Sequence, residues 1–409
     1  MSKRAVVINA IRRVRSSYWF LPTVLAAFAV LASEATLFVD RNPDSLLNIW
    51  PDAWRTTQVD GARATLSVIS QSMLGVVGVM FSVTIVAVSF ASGNFGPRLV
   101  GNFMRDRGTQ WSLGILISTF VYGLLILRAV HSADTGETAQ FELFVPHLSV
   151  GVALLLTGIS IIAVIYYVHH IPETINVSNI SADLGARLRD AIKRVIDTRN
   201  GVAEAKSVLW PETEPDRVLT LASNGYVQNR DDTLMTQIAE EHALFVAITL
   251  DVGDFVNAHT PVLEIWCQTE LSDEICDSLC SCFVVGSTPT EDQNLLFIVQ
   301  QLVEMIARAL SPGVNDPYTA INCLNWIYAG LSVAANHEGG LRTVSTTRVK
   351  HRQLTFDTIF EAGIVQSHSY VKSDPLSQAH LVATLARLET ECEGTRFSQT
   401  VRKFRKTLG

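Results

Sequence analysis

Small and polar residues form a stripe along one apolar stretch of the sequence. Gln71, Gly75, Gly78, Ser82 and Ser89 recur at intervals of four, three, four and seven residues, so they share one face of a helix. Hydroxyl groups along such a face can replace part of the water shell of an ion, which makes these five residues candidates for lining a pore. Small residues also let two helices approach closely, and this packing role is the alternative interpretation of the stripe.

A second polar cluster occupies residues 309–320, where the sequence reads ALSPGVNDPYTA. Helix-end chemistry explains most of it, because Asp316 followed by proline is typical of a helix start, and Gly313 after a proline suits a tight turn. Helix-end chemistry does not account for the polar side chains of Ser311 and Asn315. We therefore treat Ser311, Asn315 and Asp316 as candidates for contacting a small polar ligand, an ion or a second subunit, with a structural turn as the alternative.

A single carboxylate lies within the first long apolar run of the chain. Glu34 is near the end of that run, and burying its charge in hydrocarbon costs about 3 kcal/mol. It must therefore face protein, water or the membrane interface. Asp40 lies six residues further along the chain, which is less than two helical turns, so the alternative to a functional role is that the Glu34 side chain extends to the membrane surface.

The sequence lacks the motifs of familiar enzymes and metal sites. It contains no H-E-x-x-H, no G-x-S-x-G, no Walker loop and no C-x-x-C pair. Cys276, Cys280 and Cys282 are close in sequence, but no histidine is near them, so we interpret them as ordinary thiols. We predict no catalytic residue, no metal site and no cofactor.

Membrane-spanning helices are needed to position the stripe and Glu34. The chain is 48% hydrophobic and only 17% charged, which is unusual for a purely soluble protein. Four apolar runs approach the roughly 20 residues that cross the hydrocarbon core of a bilayer. These predicted spans lie at about 19–39, 68–92, 111–130 and 148–168.

Loop charges predict the orientation of these spans. The first 18 residues carry five basic residues and no acid, and basic residues also dominate the loop after the second span and the segment after the fourth. Residues 131–147 carry three acids and no lysine or arginine. By the positive-inside rule, the amino and carboxyl termini both lie in the cytoplasm.

The pattern predicts four consecutive parts. They are a four-helix transmembrane domain at 1–170, an amphipathic connecting helix at 171–205, a β-rich cytoplasmic domain at 206–290 and a helical cytoplasmic domain at 291–409. The fold class is therefore membrane α-helical with a C-terminal cytoplasmic α+β region. Its β-rich part resembles the small barrel-sandwich domains of the biotinyl and lipoyl type, although the absence of lysine between Lys206 and Lys350 excludes a carrier role.

Four segments carry a resemblance that covers nearly the whole chain. They are residues 81–124 (FSVTIVAVSFASGNFGPRLVGNFMRDRGTQWSLGILISTFVYGL), 224–228 (NGYVQ), 253–266 (GDFVNAHTPVLEIW) and 307–324 (ARALSPGVNDPYTAINCL). Together they resemble the domain-of-unknown-function 2254 family of bacterial membrane proteins. The resemblance implies a multi-pass protein of the bacterial inner membrane and assigns no catalytic residue.

Charge is distributed unevenly along the chain. Residues 207–349 carry 19 Asp or Glu against five Arg and no Lys, a net charge of −14, whereas the whole chain carries −7. An acidic body concentrates cations and does not attract nucleic acid, although acidic surfaces also serve solubility alone.

The stripe of small and polar residues and the negative charge of residues 207–349 together predict an oligomeric inner-membrane ion channel for inorganic cations. In this interpretation the second span lines the path, copies of the chain assemble in the lipid bilayer, and the acidic cytoplasmic region forms a gating vestibule. The alternative is a membrane-anchored sensor or scaffold that binds a ligand or partner through its cytoplasmic domain. An enzyme without a familiar motif is a third possibility.

Overall fold

The computed structural model describes residues 17–42, 58–130, 144–202, 210–268, 270–335, 348–352 and 354–408. Two features used to predict the orientation, the basic charges of the first 15 residues and the acids between 134 and 142, lie outside the described residues. Apart from a few residues near position 95, the described chain divides at Asn176 into a membrane unit and a C-terminal unit that begins at Val177.

Four helices of the membrane unit are long and apolar enough to cross a bilayer, which confirms the four predicted spans. The longest has 37 residues and is about 55 Å long, so it extends beyond a hydrocarbon core of about 30 Å. In chain order the helices are α1 (Phe20–Arg41), α2 (Val59–Phe95), the short α3 (Val100–Met104), α4 (Arg107–Ala129) and α5 (His147–Thr174).

Helix α4 is the best buried of the four spans. Its residues Leu116, Tyr122 and Ile126 are completely buried in the core of the membrane unit. Gly114 allows α1 to approach closely, because a Cβ atom there would lie 2.6 Å from the side chain of Leu25. Close backbone approach at a small residue is the usual way for helices to pack in lipid.

The C-terminal unit mixes helices with short strands, as the sequence predicts. Its elements are α6 (Val177–Val202), β1 (Arg217–Thr220), β2 (Gly225–Arg230), α7 (Asp232–Glu241), β3 (Phe245–Ile248), β4 (Phe255–Val256), β5 (Pro261–Trp266), α8 (Asp273–Cys280), β6 (Phe283–Gly286), α9 (Leu295–Ala309), α10 (Pro317–Ala335), β7 (Val349–Lys350), α11 (Phe356–Phe360), a π-helical segment (Glu361–Val365), α12 (Gln366–Val371), α13 (Pro375–Glu391) and α14 (Phe397–Lys406).

The described strands form two sheets that share one hydrophobic core. One sheet has the order β1-β5-β3-β7, antiparallel except for the parallel β3–β7 pair, and the other is the antiparallel β4-β2-β6. Val246 and Ile265 of the first sheet and Val227 and Phe283 of the second belong to the same buried cluster. β-Branched and aromatic residues fit this pleated, half-buried arrangement. The similarity to biotinyl and lipoyl domains stays a prediction.

Helix α6 packs its apolar face on α10. Leu184, Leu188 and Ile192 of α6 are completely buried, at the helical spacing that the sequence shows. Two glycines bring the helices together, because a Cβ atom at Gly185 would lie 2.3 Å from the ring of Trp326, and one at Gly330 of α10 would lie 2.7 Å from Leu188. This face is therefore covered by protein and not by lipid headgroups.

Candidate functional site

The predicted stripe lies on the exposed face of α2. Gln71, Gly75, Gly78, Ser82 and Ser89 are all exposed in the single chain. A Cβ atom added at either glycine would have no neighbour within 4 Å. The buried residues of α2 lie about half a helical turn away from the stripe, so the structure brings the five residues together on the face opposite to the packed one. Those buried residues are Ala62, Leu66, Ile69, Ser70, Met73, Met80, Thr84, Ala87, Ala91 and Phe95.

Hydrogen bonds of the stripe remain within its own helix. The Ser82 hydroxyl donates to the carbonyl oxygen of Gly78 at 2.9 Å, and the Gln71 amide donates to the Ser67 hydroxyl at 3.1 Å. A hydroxyl that donates to its own backbone keeps oxygen lone pairs to offer outward. The exposed face of α2 therefore presents acceptor oxygens beside open glycine positions.

Several polar side chains of the other spans pair across the interior of the bundle. The Tyr122 hydroxyl contacts Thr36 at 2.8 Å and donates to the carbonyl oxygen of Ser149 at 3.2 Å. Thr119 pairs with Ser160 at 2.8 Å in the same interior. Polar groups in lipid need hydrogen-bonding partners, and these interior groups, unlike the exposed stripe of α2, have such partners on other helices of the same chain.

A groove between α2 and α5 borders the stripe. It has a volume of about 730 Å³ and is almost entirely apolar, with walls that include Gly75, Val79 and Val83 of α2 and Val168 and Ile171 of α5. Its lining suits hydrocarbon, from a lipid chain or from a neighbouring helix, and offers nothing to an ion.

Glu34 is exposed on the surface of α1, seven residues before the last residue of that helix. It does not lie among the polar pairs of the interior, whereas Ser33 beside it is buried and donates to the carbonyl oxygen of Val30 at 2.7 Å. Glu34 belongs to α1, whereas the stripe belongs to α2.

The turn between α9 and α10 contains the third group of predicted residues. The Ser311 hydroxyl donates to the carbonyl oxygen of Arg308 at 2.7 Å, and Asp316 caps α10 by accepting from the backbone N–H of Thr319 at 3.1 Å. Asn315 adopts a left-handed conformation with φ of 48°, which asparagine tolerates better than most residues. The left-handed position of this turn is therefore Asn315 and not Gly313. A ligand or subunit contact of these residues stays a prediction.

A polar pocket in the C-terminal unit was not singled out from the sequence. It has a volume of about 440 Å³, and we call it the Arg230 pocket after its most buried charged residue, which is 3% exposed. Its lining comes from α6, β2, the first residue of α7, the loop after β3, the segment before α9, the start of α9 and the residue after β7. The lining residues are Ala191, Arg194, Val195, Arg230, Asp232, Val252, Glu291, Gln293, Asn294, Leu295, Ile298 and His351.

Hydrogen bonds hold the floor of the Arg230 pocket. The Arg230 guanidinium donates through Nε to the carboxylate of Asp232 and through Nη2 to Nδ1 of His351 at 2.9 Å. Its backbone N–H donates to Oε1 of Gln293, and Nε2 of Gln293 donates back to its carbonyl oxygen, each at 3.0 Å. Pairing of this kind is what permits a buried charge.

Cysteines of the β-rich part lie in surroundings that favour the neutral thiol. Burial raises the pKa of Cys282 to about 12, and burial also raises the pKa of Cys276 and Cys280 above the ordinary value. No group of three or more His, Cys, Asp or Glu in the described part of the chain is placed to hold a metal ion.

The chain is similar to known proteins over most of its length. A model of the family described as "Predicted membrane protein (DUF2254)" matches residues 15–387. An uncharacterized protein of Mycobacterium bovis is 27% identical over 406 residues, which cover 96% of this chain and 75% of that protein. An uncharacterized protein of Mycobacterium tuberculosis matches with the same identity and coverage. No solved structure matches the chain.

Proposed function

The chain belongs to the Predicted membrane protein (DUF2254) family, and on that premise we propose that it forms an oligomeric channel for inorganic cations in a bacterial inner membrane. Helix α2 lines the path between copies of the chain. The acidic C-terminal unit forms a vestibule on the cytoplasmic side.

The exposed stripe of α2 is the observation that carries this proposal. Its polar and small residues occupy the face opposite to the packed one, where a single chain offers them no partner helix. Lipid offers no hydrogen-bonding partner to the second amide hydrogen and the carbonyl oxygen of Gln71 or to the lone pairs of Ser82, and an unsatisfied polar group in an apolar medium costs several kcal/mol. Water in a path between subunits removes this cost, and so does contact with a second chain.

The packing of the single chain supports the proposed oligomer. Leu116, Tyr122 and Ile126 fill the interior of the membrane unit and are completely buried. An aqueous path through that interior would have to separate α4 from its neighbours. A path along the outer face of α2 avoids this, but it is closed to lipid only if several copies surround one axis.

Cation selectivity is proposed from charge. Glu34 is a carboxylate exposed at membrane depth, where contact with lipid would cost about 3 kcal/mol if it were ionised. The segment 207–349 adds a net charge of −14. Both features raise the local concentration of cations and repel anions.

The proposed orientation places both termini in the cytoplasm. An even number of spans puts the two ends of the membrane unit on the same side. The helix after the fourth span is basic, as the positive-inside rule requires of a cytoplasmic segment, with Arg187, Arg189, Lys193 and Arg194.

Flux through liposomes tests the proposed channel. Purified protein is expected to carry a cation flux, and Gly78→Leu or Ser82→Leu is expected to reduce it about tenfold or more by placing a branched apolar group in the path. Gly158→Leu on α5 is the matched control, because Gly158 is also exposed with nothing within 4 Å of an added Cβ. Absence of flux under every ionic gradient and voltage, or an equal loss in the control, would contradict the proposal.

A further inference from the structure

The Arg230 pocket is shared by α6 and the β-rich part of the C-terminal unit. Ala191 and Val195 of α6 line it together with Arg230 at the end of β2, Val252 and His351. Its volume of about 440 Å³ lies in the range of small-molecule sites and equals that of about 15 water molecules in the liquid. A molecule of about 15 to 20 heavy atoms therefore fills it.

The charges of the lining cancel. Its two cations are Arg194 and Arg230 and its two acids are Asp232 and Glu291, so its formal charge is zero. Arg230 donates through Nε to Asp232, and Arg194 is engaged in an interaction of its own within the chain. The His351 ring adds no charge, because Arg230 has only donors and Nδ1 of His351 accepts from it. A charged ligand would therefore bring a charge that the lining does not compensate.

Glu291 is compensated from outside the lining. Its carboxylate accepts two hydrogen bonds from Nη1 of Arg187, at 2.9 and 3.1 Å. Arg187 is paired in turn with Asp183, whose carboxylate lies 3.1 Å from the guanidinium Nε. These two neighbours add one cation and one acid, so the balance of charge at the pocket stays the same.

The carboxylates of the lining still accept hydrogen bonds from neutral groups. Each carboxylate oxygen has two lone pairs, and the side chains of Asp232 and Glu291 are 45% and 23% exposed in spite of their pairing. Hydroxyl and amino groups of a ligand donate to such oxygens without bringing a charge. The polar part of the lining therefore favours an uncharged molecule that is rich in hydrogen-bond donors.

Aliphatic side chains supply the rest of the lining. They are Val195 of α6, Val252, and Leu295 and Ile298 at the start of α9. A surface of this kind accommodates a flat or apolar body. A ligand made only of hydroxyl groups would leave it without a partner.

Hydrogen bonds hold the pocket in shape without a ligand. Gln293 bonds to both the backbone N–H and the carbonyl oxygen of Arg230, and it is held in a left-handed conformation with φ of 57°. The Asn294 side chain accepts from the backbone N–H of Phe297 at 3.1 Å. A preformed site loses less conformational entropy when a ligand binds.

From this combination we propose that the Arg230 pocket binds an uncharged nucleoside. Its ribose hydroxyls and base amino group donate to Asp232 and Glu291, and its base lies on Val195, Val252 and Ile298. Because α6 contributes to the pocket, binding stabilises the packing of α6 within the C-terminal unit. The proposal concerns binding alone and does not depend on channel activity.

Calorimetric titration of the full-length protein in detergent with adenosine tests the assignment. Adenosine is expected to bind, and ribose is expected to bind at least about tenfold more weakly, because it lacks the base that covers the aliphatic side chains. AMP is expected to bind no more tightly than adenosine, because its phosphate meets no uncompensated cation.

A variant that fills the pocket tests its location. Ala191→Phe places an aromatic ring in the pocket and leaves every polar group of the lining in place, so it is expected to weaken adenosine binding about tenfold or more. Ala182→Phe is the matched control at a half-buried alanine outside the lining, nine residues earlier and therefore on the opposite side of α6. It is expected to bind adenosine as the wild type does, and thermal scans report whether both variants are folded.

A second variant tests the balance of charge. Asp232→Asn removes one acid and leaves the lining with one net positive charge. AMP is therefore expected to bind this variant about tenfold more tightly than adenosine does, which reverses or exceeds the order in the wild type.

Several results would overturn the nucleoside assignment. They are no heat of binding with millimolar adenosine, equal affinities for adenosine and ribose, and tighter binding of AMP than of adenosine by the wild type. Equal adenosine affinities in folded Ala191→Phe and Ala182→Phe would also overturn it. So would a folded Asp232→Asn variant with the same preference between AMP and adenosine as the wild type.

Discussion

Asp40 accepts two hydrogen bonds from Ser149, one from its backbone N–H at 3.0 Å and one from its hydroxyl at 2.6 Å. The same carboxylate accepts from the backbone N–H of Leu148 at 3.0 Å. The residue before α5 is Pro146, which has no side-chain acceptor, so a residue at the end of α1 caps α5 in its place. This cap fixes the first and fourth spans at one end of the membrane unit.

Loss of the Asp40 cap is expected to destabilise the membrane unit. Asp40→Ala leaves the first N–H groups of α5 without a partner at a cost of about 2 kcal/mol, and Asp40→Asn, which retains one accepting oxygen, is expected to cost about half as much. Thermal unfolding of the detergent-solubilised variants measures both. Equal Tm values for the two variants and the wild type would show that the cap carries no stability.

Acid pH is expected to weaken the connection before α4. Burial of the Asp106 carboxyl opposes its ionisation, but hydrogen bonds from Thr109 and from the His170 ring outweigh burial and hold the pKa of Asp106 below its usual 3.8. A group with a lowered folded pKa contributes stability above its unfolded pKa and loses it as pH falls through the folded value. The Tm of the wild type is therefore expected to fall more steeply than that of Asp106→Asn below about pH 4.

The same pH series can also contradict this prediction. Asp106→Asn cannot ionise, so the difference in Tm between the two proteins should be largest near neutral pH and shrink under acid conditions. A difference that stays constant from neutral pH to about pH 3 would show that Asp106 acts through packing and not through its charge.

Hydropathy and helical period identified the spans and the buried face of α6, because both are local patterns in the chain. Leu184, Leu188 and Ile192 lie at helical spacing, and the structure buries all three. Asp374 followed by Pro375 is the same kind of local pattern as Asp316 followed by proline, and Asp374 caps α13 by accepting from the N–H of Ser377 at 2.7 Å.

The Arg230 pocket could not be found in this way. Its residues come from five separate stretches between positions 191 and 351, and only the folded chain brings them together. The turn after α9 shows a smaller limit of sequence reasoning. The sequence indicates a tight turn at Gly313, and the structure shows that the left-handed residue of this turn is Asn315. Neither hydropathy nor composition shows which face of a span contacts water. Single thiols placed on the spans of a cysteine-free variant would report this contact.

Reagent accessibility distinguishes a wet stripe from a lipid-facing one. In a cysteine-free variant, Ser82→Cys and Ser89→Cys are expected to react with a charged, water-soluble methanethiosulfonate, because only a thiol in contact with water ionises and meets the reagent. Ile162→Cys on α5 is the control, at a side chain that is 67% exposed and apolar. Reaction at Ile162→Cys but not at the two α2 positions would place the stripe in lipid or in a dry contact.

An image of the purified, detergent-solubilised particle tests the central claim most directly. The proposed channel predicts several copies around one axis, with Gly78 and Ser82 of each α2 facing a continuous central path. A monomeric particle, or an oligomer in which the α2 stripe is covered by side chains with no open path at the axis, would contradict it.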